Sequence, residues 1–288
     1  MKFAICNETF GEMPLAEALA IAAENGYTGW EVAPFMLAGD TYTAAGDTNA
    51  SAGNIDAFDQ THRRAYREAV ESAGLRVIGL HWLLAKTTGF HLTTIDGEVR
   101  RRTAEHLGKL ATLCRDLGGD LMVLGSPGQR NYPDSQSEAL AMENAAEVLR
   151  AVAPELDRTG VSIAVEPLGP AEGNFLNTAA AGRRLIDMVD DPRVRLHLDV
   201  KAMSSESDSI EQIIRDNADA MIHFHANDPN LLGPGMGEVD FRPIVAALRD
   251  VGYDGFVSVE VFDYSPGPQT IAAQSIANLK AALADVAT

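Results

Sequence analysis

The sequence predicts an α/β chain folded as one (β/α)8 barrel, a single domain over residues 1–288. Three observations carry that expectation. Apolar strand-like runs alternate with helical patterns eight times, and such alternation implies parallel pairing through crossovers. No Gly-x-Gly-x-x-Gly follows the first strand-like run, which disfavours a doubly wound dinucleotide-binding sheet. The late runs also sort by face. Val161, Ile163 and Val165 alternate with Ser162 and Ala164, Leu196 and Leu198 with Arg195 and His197, and Val257 and Val259 with Phe256 and Ser258. An aliphatic face suits packing on outer helices, and a mixed face suits a barrel interior near an active site.

The elements follow in order. Lys2 to Cys6 is the first strand, and a helix runs from about Pro14 to Asn25, with Pro14 at its first position and Gly26 closing it. Thr28 to Val32 is the second strand. Ala33 to Asn54 is rich in Gly, Ala, Thr and Asp without sustained period, and reads as a loop and candidate lid. A helix over Ile55–Ala73 ends at Gly74, and Leu75–Leu80 forms the third strand, which runs into His81-Trp-Leu-Leu84. Gly97 to Leu117 places Leu107, Leu110, Leu113, Cys114 and Leu117 on one side of a helix. Leu121–Leu124 is the fourth strand, Gly125–Arg130 its loop, and Ser135–Arg158 the next helix, stopped by Gly160. The remaining strands begin at Val161, at Val194, near Ala220 and near Gly255. Helices fall at about Thr178–Val189, Ile210–Asn217, Arg242–Val251 and Pro268–Val286.

A chain of 288 residues, 46% hydrophobic, can bury a sizeable core. Its formal net charge of −18 argues against nucleic acid or an anionic membrane as partner. No run approaches the roughly 18 apolar residues of a membrane span. Cys6 and Cys114 are the only cysteines, too few for a disulfide framework, so a reducing, cytoplasmic setting is expected. Self-association as a dimer or tetramer is open to such a chain.

Four strand-like runs end in groups able to hold a metal: Glu166, Asp199, His225 and Glu260. All four share the inward parity of their strands, and the C-terminal ends of neighbouring barrel strands converge. Three carboxylates meeting there without a partner would repel, and one would have to take up a proton. One divalent ion removes that conflict. Oxygen-rich donors with one imidazole suit Mn²⁺ first, with Mg²⁺, Co²⁺ or Zn²⁺ as alternatives.

The local strings Val165-Glu-Pro167, His197-Leu-Asp199, His223-Phe-His225 and Val259-Glu260, with ligands spaced by 33, 26 and 35 residues, resemble the xylose-isomerase-like TIM-barrel superfamily. Within it the chain is similar to the ketose 3-epimerases acting on D-tagatose or D-psicose. The resemblance implies that Glu166, Asp199, His225 and Glu260 bind one metal. It implies further that Glu166 and Glu260 exchange protons with a sugar carbon through an enediolate, and that Glu172 contacts substrate. It fails at two places. The family's histidine three residues after the metal aspartate is Ala202 here, and its arginine six residues after the metal histidine is Leu231. Lys201 is the candidate replacement. Inosose dehydratases of the same superfamily suggest a lyase as the alternative activity, and a non-catalytic sugar-binding barrel is the reading outside enzymology. The superfamily's endonuclease IV-type DNA repair enzymes need further histidines that Ala202 and the Leu124-Gly-Ser126 strand end do not supply.

Further candidates ring the same end. His81 and Trp82 follow the third strand and suit a sugar-stacking wall with a hydrogen-bond donor. Glu8 and Glu31 are read as lying just beyond strands one and two, as substrate contacts. His197 and His223 sit one inward step below two ligands and read as buried supports; His223 also stands among the substrate-side candidates. Arg130 offers a cation for a carboxylate or phosphate, although a surface position is the plainer reading. Gly233–Gly237 is no phosphate loop, since no Lys-Ser/Thr follows, and Asp240 reads as a helix cap.

Overall fold

The computed structural model describes residues 1–37 and 55–286. Eight parallel strands close into a barrel in sequence order. They are β1 (Lys2–Cys6), β2 (Gly29–Val32), β3 (Arg76–Leu80), β4 (Leu121–Leu124), β5 (Ser162–Val165), β6 (Val194–Asp199), β7 (Met221–Ala226) and β8 (Phe256–Val259). The ring closes because β1 pairs with both neighbours, Ala4 lying opposite Gly29 on β2 and Ser258 on β8. Two registers slip, between Trp30 and Glu31 on β2 and between Leu196 and His197 on β6.

Ten helices surround the barrel among the described residues. They are α1 (Leu15–Asn25), α2 (Pro34–Leu37), α3 (Gln60–Ser72), α4 (Gly97–Leu117), α5 (Glu138–Thr159), α6 (Ala179–Val189), α7 (Val200–Met203), α8 (Ile210–Asp216), α9 (Phe241–Asp250) and α10 (Pro268–Asp285). Several of their starts are set by side-chain caps. Asp96 accepts from the amides of Glu98 and Val99, Thr178 from Ala181, and Asp240 from Arg242; each satisfies donors that a helix's first turn leaves free. The shell is apolar on its inner side. Leu107, Leu110, Leu113 and Leu117 of α4 are buried, each removed from water for roughly 1.5–3 kcal/mol.

Some elements depart from expectation. The helix expected over Ile55–Ala73 is a 3₁₀ turn, Ile55–Ala57, followed by α3. Asp59 causes the break: its carboxylate caps Thr61 and His62, so the helix restarts there. Pro14 caps α1 from outside rather than opening it. The loop expected from Ala33 opens as α2, and its remainder, read as a lid, lies outside the described residues. Asp199 ends β6 and at once caps α7, accepting from Ala202. No helix of the described residues is long and apolar enough to cross a membrane.

Candidate active site

The C-terminal ends of β5 to β8 bring Glu166, Asp199, His225 and Glu260 into one buried centre. All four are 5% exposed or less. His225 Nδ1 lies 3.0 Å from Glu260 Oε2, and ligand atoms of Glu166, Asp199 and His225 sit within 4.8 Å of one another. Asp199 is held from two sides. Its Oδ1 accepts from the Ala202 amide at 2.8 Å, and its Oδ2 accepts from Asn227 Nδ2 at 2.5 Å. Glu166 is set by two neighbours. Arg130 Nη1 donates to its backbone carbonyl at 2.6 Å. Gly125 leaves room for its carboxylate: a Cβ at position 125 would stand 1.5 Å from Glu166 Oε2.

Beneath this ring lies a layer of imidazoles and one acid. Glu31 is fully buried and receives three contacts, from His223 Nε2 at 3.0 Å and from His225 Nε2 at 3.1 and 3.2 Å. Cys6 Sγ adds a weaker one at 3.8 Å. His225 therefore spans two levels, its Nε2 tied down to Glu31 and its Nδ1 turned up to the carboxylate ring. A carboxylate on the far nitrogen of an imidazole fixes which nitrogen is free to ligate. His197 packs edge-on against His225, with ring centroids 4.2 Å apart.

The charges of this centre conflict. Burial pushes the Glu166 carboxyl well above its usual range, and Glu260 beside it adds to the shift. Burial raises Asp199 to about 6, again with Glu260 contributing. Burial would also raise Glu260, but His225 and the Trp82 donor hold it below its ordinary value. Glu31 is held well down against burial by His223 and His225, and His225 is raised against burial by Glu31 and Glu260. Burial and the neighbouring imidazoles of His225 and His223 keep His197 neutral. Three carboxylates thus share one imidazolium at their level, and two of them are driven toward protonation. This donor set fits a divalent cation: hard oxygens, one oriented imidazole nitrogen and an excess of negative charge.

The mouth of the site is aromatic. Trp82 Nε1 donates to Glu260 Oε1 at 2.6 Å, and its ring stacks toward Phe262, with centroids 6.1 Å apart, and tilts against Phe35 at 5.9 Å. Trp82 does this from a left-handed backbone, φ 53°, a conformation that costs a bulky residue energy and gathers at functional sites. Lys201 Nζ pairs with Glu172 Oε1 at 2.7 Å and lies over the Phe262 ring at 4.2 Å. His81 Nε2 meets Glu8 Oε2 at 2.7 Å, both buried.

Several expected positions need correction. Glu31 lies within β2, not beyond it, and with His223 it is sealed beneath the ring rather than lining the mouth. Arg130 is neither at the surface nor turned to an incoming anion by Nη1; it is 1% exposed and braces the Glu166 backbone. Lys201 does not follow strand parity, because β6 stops at Asp199; it reaches Glu172 from α7. Glu8 sits in a turn after β1 with His81 as its partner. Ala202 is buried in α7, and Leu231 is 42% exposed, with its carbonyl accepting from the amides of Phe262 and Asp263. Sequence reasoning missed Asn227, whose amide grips Asp199 while its Oδ1 takes the Lys201 amide. Its inward parity, two residues after His225, was the available signal. The sequence pattern gives Gly125 a loop position and no reason for being glycine, which only the Glu166 carboxylate supplies.

An eight-stranded α/β barrel with carboxylates and an imidazole converging at its C-terminal face defines the class of protein. The chain belongs to the Xylose isomerase-like TIM barrel family, which it matches over residues 19–282. Among curated proteins it is similar to a probable ketose 3-epimerase of Synechocystis sp., 30% identical over 180 residues. That alignment covers 61% of this chain and 62% of the relative. It is also similar to D-psicose 3-epimerase of Ruminiclostridium cellulolyticum, 35% identical over 120 residues, 42% of this chain and 41% of that one. The aligned stretches thus span less than two thirds of either relative. The solved D-psicose 3-epimerase with D-tagatose from Clostridium cellulolyticum H10 shares the fold, with a TM-score of 0.83 at 20% identity, covering 98% of this chain and 99% of that one.

Proposed function

We propose that this chain is a divalent-metal-dependent epimerase or isomerase of a small keto-sugar or cyclitol, working by proton transfer through an enediolate. The convergence of Glu166, Asp199, His225 and Glu260 on one buried centre carries the reading; the names of the relatives support the substrate class. Those four residues would hold the ion, Mn²⁺ by preference over Mg²⁺, Co²⁺ or Zn²⁺. When bound, it supplies Lewis-acid stabilisation of the negative charge that develops on the substrate's oxygens.

The remaining work falls to the chain. Glu166 and Glu260 come from β5 and β8, the two ends of the four-strand ligand arc, so their carboxylates can address a substrate carbon from different sides. One removes the proton beside the carbonyl and the other returns it. Trp82 aims Glu260 through its indole N–H, and Gly125 keeps the space in which Glu166 turns. The Lys201–Glu172 pair and the Trp82–Phe262 wall meet hydroxyls and a sugar face at the mouth. The buried free thiols of Cys6 and Cys114 support a reducing, cytoplasmic setting.

The test is incubation of the Mn²⁺-loaded protein with D-psicose or D-tagatose in D₂O. The expected result is deuterium on the carbon next to the carbonyl, in a mixture of substrate and product. Retention of the original hydrogen during turnover contradicts the two-glutamate mechanism and indicates a hydride shift instead. A lyase of the inosose dehydratase type is the second reading. Ala202 and Leu231 stand where the epimerases carry a histidine and an arginine, so the reacting end is held differently here. A dehydrated product with release of water decides for it.

A further inference from the structure

His197 is an imidazole of the barrel interior that stands apart from the contacts of its neighbours. It is completely buried, and among the described residues neither ring nitrogen has a hydrogen-bond partner. A neutral imidazole has one donor and one acceptor nitrogen, and buried polar atoms almost always find partners. Its neighbours show the contrast: His225 uses both nitrogens, and His223 uses Nε2 on Glu31. Nothing comparable compensates His197 among the described residues.

Its position suggests what does. His197 Nε2 lies 3.5 Å from Glu166 Oε1 without forming a hydrogen bond. Donor atoms of Glu166, His197, Asp199 and His225 all fall within 4.8 Å of one another. Ligands of one six-coordinate ion are separated by roughly 3 Å when adjacent and a little over 4 Å when opposite, given metal–ligand distances near 2.1 Å. The observed spread suits a common centre after small side-chain adjustment. Glu260 joins that group through His225, 3.0 Å away.

We propose that His197 is a fifth protein ligand of the same ion, giving the site two imidazole nitrogens rather than one. This rests on the metal-binding reading above and adds to it. The consequence is selectivity. Each imidazole added to a carboxylate site shifts preference from Mg²⁺ and Mn²⁺ toward Co²⁺ and Zn²⁺. The chain would then hold Zn²⁺ more firmly, relative to Mn²⁺, than a site with one histidine.

Pulsed EPR of the Mn²⁺-loaded protein, with histidines labelled by ¹⁵N, counts the imidazole nitrogens on the ion. Two are expected in the parent and one in His197→Leu. Leucine removes both unpartnered nitrogens, so the metal-free variant should melt at or above the parent temperature. Its preference for Zn²⁺ over Mn²⁺, measured by calorimetric competition, should fall about tenfold or more, since loss of a ligand costs at least as much as loss of a residue supporting one. A merely structural histidine would give the reverse, a lower melting temperature with selectivity unchanged. A single imidazole on Mn²⁺ in the parent overturns the proposal whether or not the variant folds, and leaves the four-residue site standing. A parent that binds no Mn²⁺ overturns both.

Discussion

The two halves of the barrel divide one task. Strands β5 to β8 end in the groups that would meet an ion: Glu166, Asp199, His225 and Glu260. Strands β1 to β4 and their loops contribute no member of that ring, yet they hold it. Glu31 of β2 takes His225 and His223; Trp82 after β3 donates to Glu260, and Gly125 after β4 clears space for Glu166. Even Arg130, in the loop after β4, works on the carbonyl of a ligand rather than on an incoming molecule. The late half supplies the donors and orients Asp199 itself through Ala202 and Asn227, and the early half fixes the direction of the other three. A change in the late half should therefore remove chemistry, and a change in the early half should weaken it while leaving the donors present.

The largest effect is expected from Glu260→Gln. It keeps an oxygen for the ion but cannot accept a proton, so turnover should fall about 10²–10⁴-fold with metal content preserved. Rate and bound Mn²⁺ measured on the same sample check both halves of that statement. Glu31→Gln tests the early half. Gln can no longer hold His225 Nε2–H and His223 Nε2–H as an anion, and Mn²⁺ affinity should drop about 10–100-fold by titration calorimetry. If Glu31→Gln bound Mn²⁺ as the parent does, the division between halves would be wrong.

Trp82→Phe removes only the donor to Glu260 while keeping an aromatic wall. A hydrogen bond to a charged group contributes about 1.5–3 kcal/mol, so kcat should fall roughly 10–100-fold, with KM changing far less. A fall confined to KM would make Trp82 a substrate contact and no more. Smallest of all, Thr178→Ala should touch neither half. It removes the cap on α6, costs about 1 kcal/mol of stability in chemical denaturation, and leaves Mn²⁺ affinity and rate as in the parent.

The late half was the legible half. Each of its ligands ends an alternating run, and parity alone turns Glu166, Asp199, His225 and Glu260 inward. The fold follows from the same rhythm, although the Asp59 cap displaces the start of α3 and the short helices α2 and α7 lie outside it. The early half was harder because parity says which way a residue points and not how high it sits. Height depends on register between strands, and the slips after Trp30 and Leu196 are invisible in a string of residues. Sequence alone therefore puts Glu31 at the mouth, and the barrel sets it a layer below. Arg130 looked like a surface cation because its partner is a backbone carbonyl, which no side-chain pattern announces. Strand parity does not reach Lys201, because it ends two residues earlier at Asp199, which caps α7. Asn227 grips Asp199 across strands, a contact that only the closed barrel brings together.

On the proposed function, the ends of β5 to β8 hold a divalent ion. Titration of Mn²⁺ into the parent and into His225→Ala, followed by the EPR signal of the free ion, tests it most directly. The parent should take up one equivalent, and the variant, with an unchanged circular dichroism spectrum, should leave the Mn²⁺ free in solution. Equal uptake by the two proteins would contradict the site.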